Sequence, residues 1–378
     1  MMPERPDAPL TVALDGTPLL GVPTGVGVFT SDLLEALASR GDLSVSSFAV
    51  SWRRREQLAD AVPDGVRTDQ GAMPARPLTW LWSHSNVLTA ERFIGPVDVV
   101  HGTNFTVPPT RRAGRVVTVH DLTCVRYPEL CQSDTLRYPA LIARAIKGGA
   151  IVHTPSAFVA DEVREHFRVK RDQVVPVHSG IPVLPEPDRE AAAAIIDPRR
   201  PYVLSIGTAE PRKDLPGLVA AFDAAAAIDP ELTLVLVGPP GWGSAAVDEA
   251  IENATARSRI VTAGFVSDGA LSALLSGARL LAYPSVYEGF GFPPLQAMAR
   301  GIPVVTTAVG SLKEIAGGAA AFVPVGDVDA LAEQLVELSS DEARRSILIT
   351  AGLARANDFT WEATATGLVN LYRRSRQR

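Results

Sequence analysis

The stretch Pro284-Ser285-Val286-Tyr287-Glu288-Gly289-Phe290-Gly291-Phe292-Pro293-Pro294-Leu295-Gln296-Ala297-Met298-Ala299-Arg300-Gly301 decides the fold. It begins where the short apolar run 280–283 ends and continues as a helical pattern. Pro293 and Pro294 suit a first helical turn, where a missing N–H costs nothing, and Gly301 is placed to stop the helix in a left-handed conformation. A strand, a glycine corner and a short helix in that order make an α/β unit. Gly289 and Gly291 let backbone N–H groups come close to a ligand, and a helix start behind them favours an anion such as a diphosphate. Glu288 would then face a sugar, whose hydroxyls a carboxylate can hold two at a time. Gln296, two helical turns on, is within reach of a ribose. Taken alone the corner also fits an α/β turn with no ligand, Glu288 being a surface acid.

The same alternation extends in both directions. Apolar, β-branched runs at 11–14, 97–100, 116–119 and 150–153, then at 202–206, 232–237, 260–263, 280–283 and 304–306, read as buried parallel strands separated by amphipathic helices. Two α/β layers with right-handed crossovers follow. Between them, Ile181-Pro182-Val183-Leu184-Pro185-Glu186-Pro187 cannot continue a sheet, and an Ala-rich helix starts near Asp188. The expected division is an N-terminal domain 1–182, a linker 183–200, a second domain 201–360 and a C-terminal helix 361–378 that packs back on the first domain.

Composition sets outer bounds. The 378 residues are 46% hydrophobic and 21% charged, with a mean hydropathy of +0.12, which fits well-packed domains. A net charge of −6 argues against a general nucleic-acid binder, which needs a broad basic face. Cys124 and Cys131 form no metal-type pair and no disulfide framework, which fits a reducing cytoplasm. Met1 to Asp7 carries acids and prolines where an export signal needs a basic and then an apolar stretch. No apolar run approaches the roughly 18 residues a membrane span requires, so any membrane contact is expected to be peripheral, at the inner face.

The motif Glu-Gly-Phe-Gly-x-Pro-Pro-x-x-Ala-Met-Ala-x-Gly-x-Pro-Val-Val, starting at Glu288, resembles the donor-site signature of glycosyltransferase family 4, of GT-B fold. The resemblance takes in Ser205 to Leu215, Val237-Gly238, Gly264-Phe265-Val266 and Gly310 to Glu314, nearly the whole chain, and is strongest to bacterial mannosyltransferase-type members. It implies two facing Rossmann-like domains with parallel sheets and an interdomain cleft. It implies transfer of a sugar, mannose or another hexose, from a nucleoside-diphosphate donor to a glycan, glycolipid or lipid-linked acceptor, with retention of configuration. No cofactor is implied beyond the donor itself.

By the resemblance, Arg212 and Lys213 clamp the donor diphosphate, a role that a guanidinium and an ammonium in a partly dry cleft can fill in place of a divalent ion. Glu288 and His120 complete the expected catalytic set. Gly207, Thr208, Val266, Gly289, Phe290, Gly291, Phe292, Leu295 and Gln296 are expected to line the donor. Gln296 stands where the family usually has a second acid, which removes a charged hydrogen bond to the ribose. Thr208 stands where some members carry another arginine.

In the first half, Gly21-Val22-Pro23-Thr24-Gly25-Val26-Gly27-Val28-Phe29 reads as a loop before a helix 30–38. Its spacing is not the full dinucleotide fingerprint, and the resemblance gives Gly25 and Gly27 to the donor phosphates, with Val28 where an arginine often stands. His120, just past a strand's C-terminal end, lies at the edge where open α/β sheets bind ligands. The resemblance places it at the reaction centre, with Asp121 orienting it or binding acceptor; His101 and Asn104, which end the preceding strand, are secondary acceptor-side candidates. Asp327-Val328-Asp329 looks like a metal motif, but it opens a helix, where Asp is the ordinary cap. That reading and the Arg212-Lys213 pair predict transfer without metal. Trp52-Arg53-Arg54-Arg55 and residues 76–84, with Trp80 and Trp82, offer a surface for anionic lipid or carbohydrate, or equally half-buried helix residues with solvated charges. A sugar-nucleotide-binding protein without turnover is the alternative, and an epimerase or phosphorylase finds no supporting motif.

Overall fold

The computed structural model describes residues 9–21, 24–69 and 71–377. They fall into two compact units, Met1–Gly180 with Thr360–Arg378, and Ile181–Phe359. The segment 183–200, read from sequence as a linker, packs on the second unit: its helix Arg189–Ala193 is capped by Asp188, and Ile196 enters that unit's core.

In the first unit, strands β1 (Leu10–Asp15), β2 (Leu43–Phe48), β3 (Arg67–Asp69), β4 (Val99–Gly102), β5 (Gly114–Thr118), β6 (Ile151–Thr154) and β7 (Val174–Pro176) form a parallel sheet ordered β3-β2-β1-β4-β5-β6-β7. In the second, β8 (Tyr202–Ile206), β9 (Thr233–Val237), β10 (Ile260–Gly264), β11 (Leu280–Tyr283), β12 (Val304–Thr307) and β13 (Ala321–Val323) repeat the scheme as β10-β9-β8-β11-β12-β13. Both sheets reverse their winding once, between β1 and β4 and between β8 and β11. Ligands bind open α/β sheets at such reversals, beyond the carboxyl ends of the strands. Helices cover both faces of each sheet, so the central strands read as unbroken apolar runs. Val99, Val100, Val116 and Val117 are fully buried, as are Leu280 and Leu281.

Two boundaries differ from the sequence reading, and the helix cap expected at Asp327 is present. The helix expected at 30–38 begins at Gly25 and runs to Ala38, because Thr24 caps it through a bond from the Gly27 N–H to its hydroxyl at 3.2 Å. Gly25 and Gly27 are therefore helical, and Val22 and Pro23 lie outside the described residues, as does the Met1 to Asp7 stretch. The strand expected at 97–100 is shifted to Val99–Gly102, which puts His101 inside the sheet. Asp327 caps Val328–Ser340 by accepting from the Ala330 N–H.

His101 belongs to the core and not to a ligand site. A hydrogen-bonded chain runs from Tyr372 Oη to His101 Nδ1 (2.8 Å), from His101 Nε2 to Thr118 Oγ1 (2.8 Å), from Thr118 Oγ1 to His153 Nδ1 (2.9 Å) and from His153 Nε2 to the Val177 carbonyl (3.0 Å). A carbonyl can only accept, so His153 is protonated on Nε2, and burial keeps both imidazoles neutral. It follows that Thr118 donates to His153, His101 donates to Thr118, and Tyr372 donates to His101. Every proton in the chain has one direction. Tyr372 lies on the helix Trp361–Arg376, which this chain ties to β4, β5 and β6. That helix packs closely: a Cβ on Gly114 would stand 2.5 Å from the Ser375 carbonyl carbon.

Candidate donor site at the strand reversal of the second unit

The loops after β8 and β11 meet at the winding reversal. After β8, Pro211–Lys213 forms a single 3-10 turn, and Asp214 follows at a φ of +48°, capping the helix Leu215–Ile228 through the Gly217 N–H. The Val286 N–H donates to the Arg212 carbonyl at 2.8 Å, which joins this turn to the loop after β11.

Three donors then converge on a single oxygen, Oε1 of Glu288. Lys213 Nζ lies 2.5 Å away, Arg212 Nη1 2.7 Å and Tyr283 Oη 3.0 Å. Lys213 also donates to the Tyr283 hydroxyl, and Arg212 Nε is 2.7 Å from Glu210. Glu288 and Lys213 are 6% and 8% exposed, so these charges interact in a partly dry setting. Burial pushes the Glu288 carboxyl up, but Arg212 and Lys213 outweigh it and hold the group at about 2. Burial and the neighbouring Arg212 push the Lys213 ammonium down, against the pull of Glu288. Burial and the Glu288 charge push the Tyr283 phenol well up, so it stays a neutral donor.

The backbone of Glu288 is fixed from behind. Its carbonyl accepts from the Ser311 N–H at 3.0 Å and lies 3.0 Å from the Ser311 hydroxyl. Gly310, at a φ of +55°, makes that approach possible, since a Cβ there would stand 2.5 Å from the Glu288 oxygen. Gly291, at a φ of +115°, opens the helix Phe292–Met298. With only seven residues, that helix adds a modest dipole, and the attraction for an anion rests mainly on the cations and backbone N–H groups. Gly301 has a φ of +68°, with its N–H on Met298 and that of Ile302 on Ala297, the left-handed stop expected from sequence.

The remaining donor-side residues divide by what they present. Leu295 is fully buried, and Phe290 packs edge-on to Phe292 and Phe359 in the same core, so neither side chain faces solvent. Gln296 is 6% exposed, on the helix Phe292–Met298. Gly207, Gly238 and Gly264 end β8, β9 and β10 at positive φ and line a cavity of about 150 Å³. Thr208 and Val266 lie on the loops beside them, both partly buried. Tyr283, Glu210, Gly310 and Ser311 were not singled out by role from sequence; the phenol ends an apolar strand and looks there like core.

In the first unit, His120 Nε2 lies 2.8 Å from the Thr103 carbonyl, which fixes the proton on that nitrogen and leaves Nδ1 the acceptor. Phe29 and Phe105 stand edge-on to the ring. Burial pushes its pKa down. Asp121 does not hold it: its Oδ1 accepts from the Thr123 N–H and hydroxyl, closing a turn into the helix Thr123–Arg126. Trp52 and Trp80 are exposed, while Trp82 is half-buried with its indole N–H on the Leu88 carbonyl. Of the described helices, none is long and apolar enough to cross a membrane.

The chain is similar to known glycosyltransferases over most of its length. Residues 188–355 match the family described as glycosyl transferases group 1, and residues 23–183 match glycosyltransferase family 4. The O-antigen chain mannosyltransferase B of Escherichia coli is 32% identical over 374 residues, covering 93% of this chain and 96% of that protein. A D-inositol 3-phosphate glycosyltransferase of Rhodococcus opacus is 30% identical over 68% of this chain and 61% of its own length. Among solved structures, sucrose-phosphate synthase from Thermosynechococcus elongatus superposes with a TM-score of 0.74 at 23% identity over 97% of this chain and 98% of that one. WaaG, a glycosyltransferase involved in lipopolysaccharide biosynthesis, does so with 0.71 at 18% identity, over 95% and 99%. These structural likenesses establish the two-domain GT-B fold. With the winding reversal, the glycine corner and the extent of the sequence identity, the chain belongs to the group 1 glycosyltransferases of family 4 and is a transferase enzyme.

Proposed function

We propose that this enzyme transfers a mannosyl residue from a nucleoside-diphosphate donor to a glycan or lipid-linked acceptor, with retention and without a metal ion. The convergence of Arg212 and Lys213 on Glu288 at the strand reversal carries this reading. The two cations face the charge that appears when the sugar leaves, and preorganised charges in a dry site are worth more than the same charges in water. Glu288 Oε2, which takes no part in the three bonds to Oε1, accepts sugar hydroxyls. Gln296 brings both a donor and an acceptor to the ribose.

In the proposed reaction the bond between the anomeric carbon and the diphosphate oxygen breaks, and its electron pair stays on the phosphate. The acceptor oxygen bonds to the same face of the anomeric carbon, and its proton passes to an oxygen of the departing phosphate. His120, held by Thr103, keeps Nδ1 available to a sugar hydroxyl. Mannose is favoured by the identity to an O-antigen mannosyltransferase over nearly the full chain. The reaction belongs at the cytoplasmic face of the membrane, where the exposed Trp52 and Trp80 can meet lipid.

Calorimetry with GDP-, UDP-, TDP- and ADP-sugars, each with and without chelator, tests the reading. Binding of one sugar nucleotide, unchanged by chelator and followed by transfer to a mannose-terminated glycan, is expected. Tight binding with no turnover on any acceptor would favour the second reading, a sugar-nucleotide-binding protein, which the amide at Gln296 keeps in view. Failure of anionic vesicles to pellet the protein would remove the membrane contact.

A further inference from the structure

Tyr283 ends β11, the strand that lies between β8 and β12 in the second sheet. Its backbone is in register with Thr306, and its carbonyl accepts from the Thr306 hydroxyl at 2.7 Å. The ring is buried in the same apolar core as Leu204, Leu281 and Val304. A phenylalanine would serve that packing equally well, and burying a hydroxyl is unfavourable unless it finds partners. Here the partners are two charges of the donor site. Lys213 donates to the Tyr283 oxygen, and Tyr283 donates to Glu288 Oε1 at 3.0 Å.

These directions follow from the groups themselves. An ammonium has no acceptor, and a carboxylate held at about 2 has no proton to give, so the phenol must accept from the one and donate to the other. Lys213 Nζ also stands over the Tyr283 ring, 4.6 Å from its centre. Phenylalanine would keep that contact too, so the hydroxyl is what it would not reproduce. The mounting of the three groups differs as well. Lys213 ends a single 3-10 turn and Glu288 lies in a loop, whereas Tyr283 belongs to a strand paired on both sides. Groups on strands hold their geometry better than groups on loops. Of the three N–H groups of Lys213, two go to Tyr283 and Glu288 among the described residues, which leaves one for a phosphate oxygen.

We propose that Tyr283 is a positioning residue for the transfer: its hydroxyl fixes the Lys213 ammonium against the departing phosphate and holds Glu288 by one oxygen, so that the other meets the sugar. The role rests on the transferase reading above. Tyr283 touches neither substrate and acts through Lys213 and Glu288. An acceptor atom beside the ammonium also favours its charged form, together with Glu288 and Glu210 and against burial and Arg212.

The test compares the parent chain with Tyr283→Phe, Lys213→Ala and the double variant in donor calorimetry, steady-state transfer and urea denaturation. Tyr283→Phe is expected to keep donor affinity within about threefold and to lower kcat about tenfold or more, because the lost geometry matters as charge develops on the phosphate. In the Lys213→Ala background the same substitution is expected to lower kcat by less than about threefold, since a partner through which the hydroxyl acts is gone. The alkaline limb of kcat should move to lower pH in Tyr283→Phe, as the ammonium loses an acceptor. A hydroxyl that merely satisfied the core would shift the urea midpoint and move neither kcat nor the limb. If Tyr283→Phe does not unfold cooperatively, Tyr283→Met, pliable enough to fill the same space, replaces it in every arm. Parent-like kcat with an unmoved alkaline limb, or equal losses in the two backgrounds, overturns the positioning role and leaves the transferase reading intact. A parent chain that binds sugar nucleotide but transfers to no acceptor overturns the transferase reading, and this role with it.

Discussion

Lys213 Nζ stands 2.5 Å from Glu288 Oε1, and the two residues come from loops that follow different strands, β8 and β11. Each neutralises the other in a setting where an unpaired charge is expensive. Lys213→Ala is expected to destabilise the protein by about 3 kcal/mol, because Glu288 then keeps Arg212 as its one cation there, beside the neutral Tyr283 hydroxyl. It should also reduce kcat/KM steeply. The double variant Lys213→Met/Glu288→Gln, with no buried charge left unmatched at these two positions, should regain most of the stability and none of the transfer. Urea denaturation and initial rates on the three proteins separate the two effects. Transfer by Lys213→Ala at the parent rate would contradict the clamp.

The chain from Tyr372 to Val177 makes a second expectation. Burial holds His153 at about 4 and His101 well below its ordinary 6.5. Below about pH 6.5 the unfolded chain takes up protons that the folded one refuses, so stability falls as pH falls, by ~1.4 kcal/mol per pH unit for each histidine. Asp15, Asp69 and Asp214, whose carboxyls burial pushes up, act in the opposite sense closer to their ordinary 3.8. The interval from 6.5 to 5.5 therefore reads the histidines most cleanly. Tyr372→Phe should cost about 1–3 kcal/mol, since it strands the His101 Nδ1 acceptor in a dry interior. Equal unfolding free energies at pH 6.5 and 5.5 would contradict the buried neutral chain.

Much of this was readable from the residues because strand, glycine corner and helix are local features. The run at 202–206 and the Gly301 stop fall where hydrophobic period and left-handed geometry put them. What escaped depends on partners far along the chain. Tyr283 reads as one more apolar strand residue until Lys213, 70 positions away, meets its hydroxyl. His101 looked like a strand-end ligand because nothing local shows that Tyr372, 271 positions away, completes its hydrogen bonds. Asp121 follows the opposite pattern. Its partner Thr123 is two residues on, so the turn it closes is a local feature of the sequence.

Gln296 lies on the helix Phe292–Met298 at 6% exposure, so its replacement must keep the packing. Gln296→Leu keeps the volume and is expected to change stability by less than about 1.5 kcal/mol. If the amide serves the ribose, donor affinity falls about tenfold, the loss of roughly one to two good hydrogen bonds. Calorimetric titration of the sugar nucleotide checks this. An unchanged Kd would leave the amide without the proposed role.

Two glycines of similar appearance in the sequence should behave in opposite ways. Gly310 sits at a φ of +55° with a Cβ position 2.5 Å from the Glu288 carbonyl oxygen. Gly310→Ala must move backbone, not a flexible side chain, and is expected to cost about 2 kcal/mol or more. Because the displaced group is Glu288, transfer should fall further than stability alone explains. Gly25 lies in the first turn of its helix with open space where a Cβ would go. Gly25→Ala should leave stability unchanged or raise it by about 0.5–1 kcal/mol. A fall in kcat/KM in that stabilised variant would show that the donor must approach the Gly25 backbone more closely than a methyl group permits. An unchanged kcat/KM would reduce Gly25 to a helix-start residue, and the open space would then have no ligand to account for it.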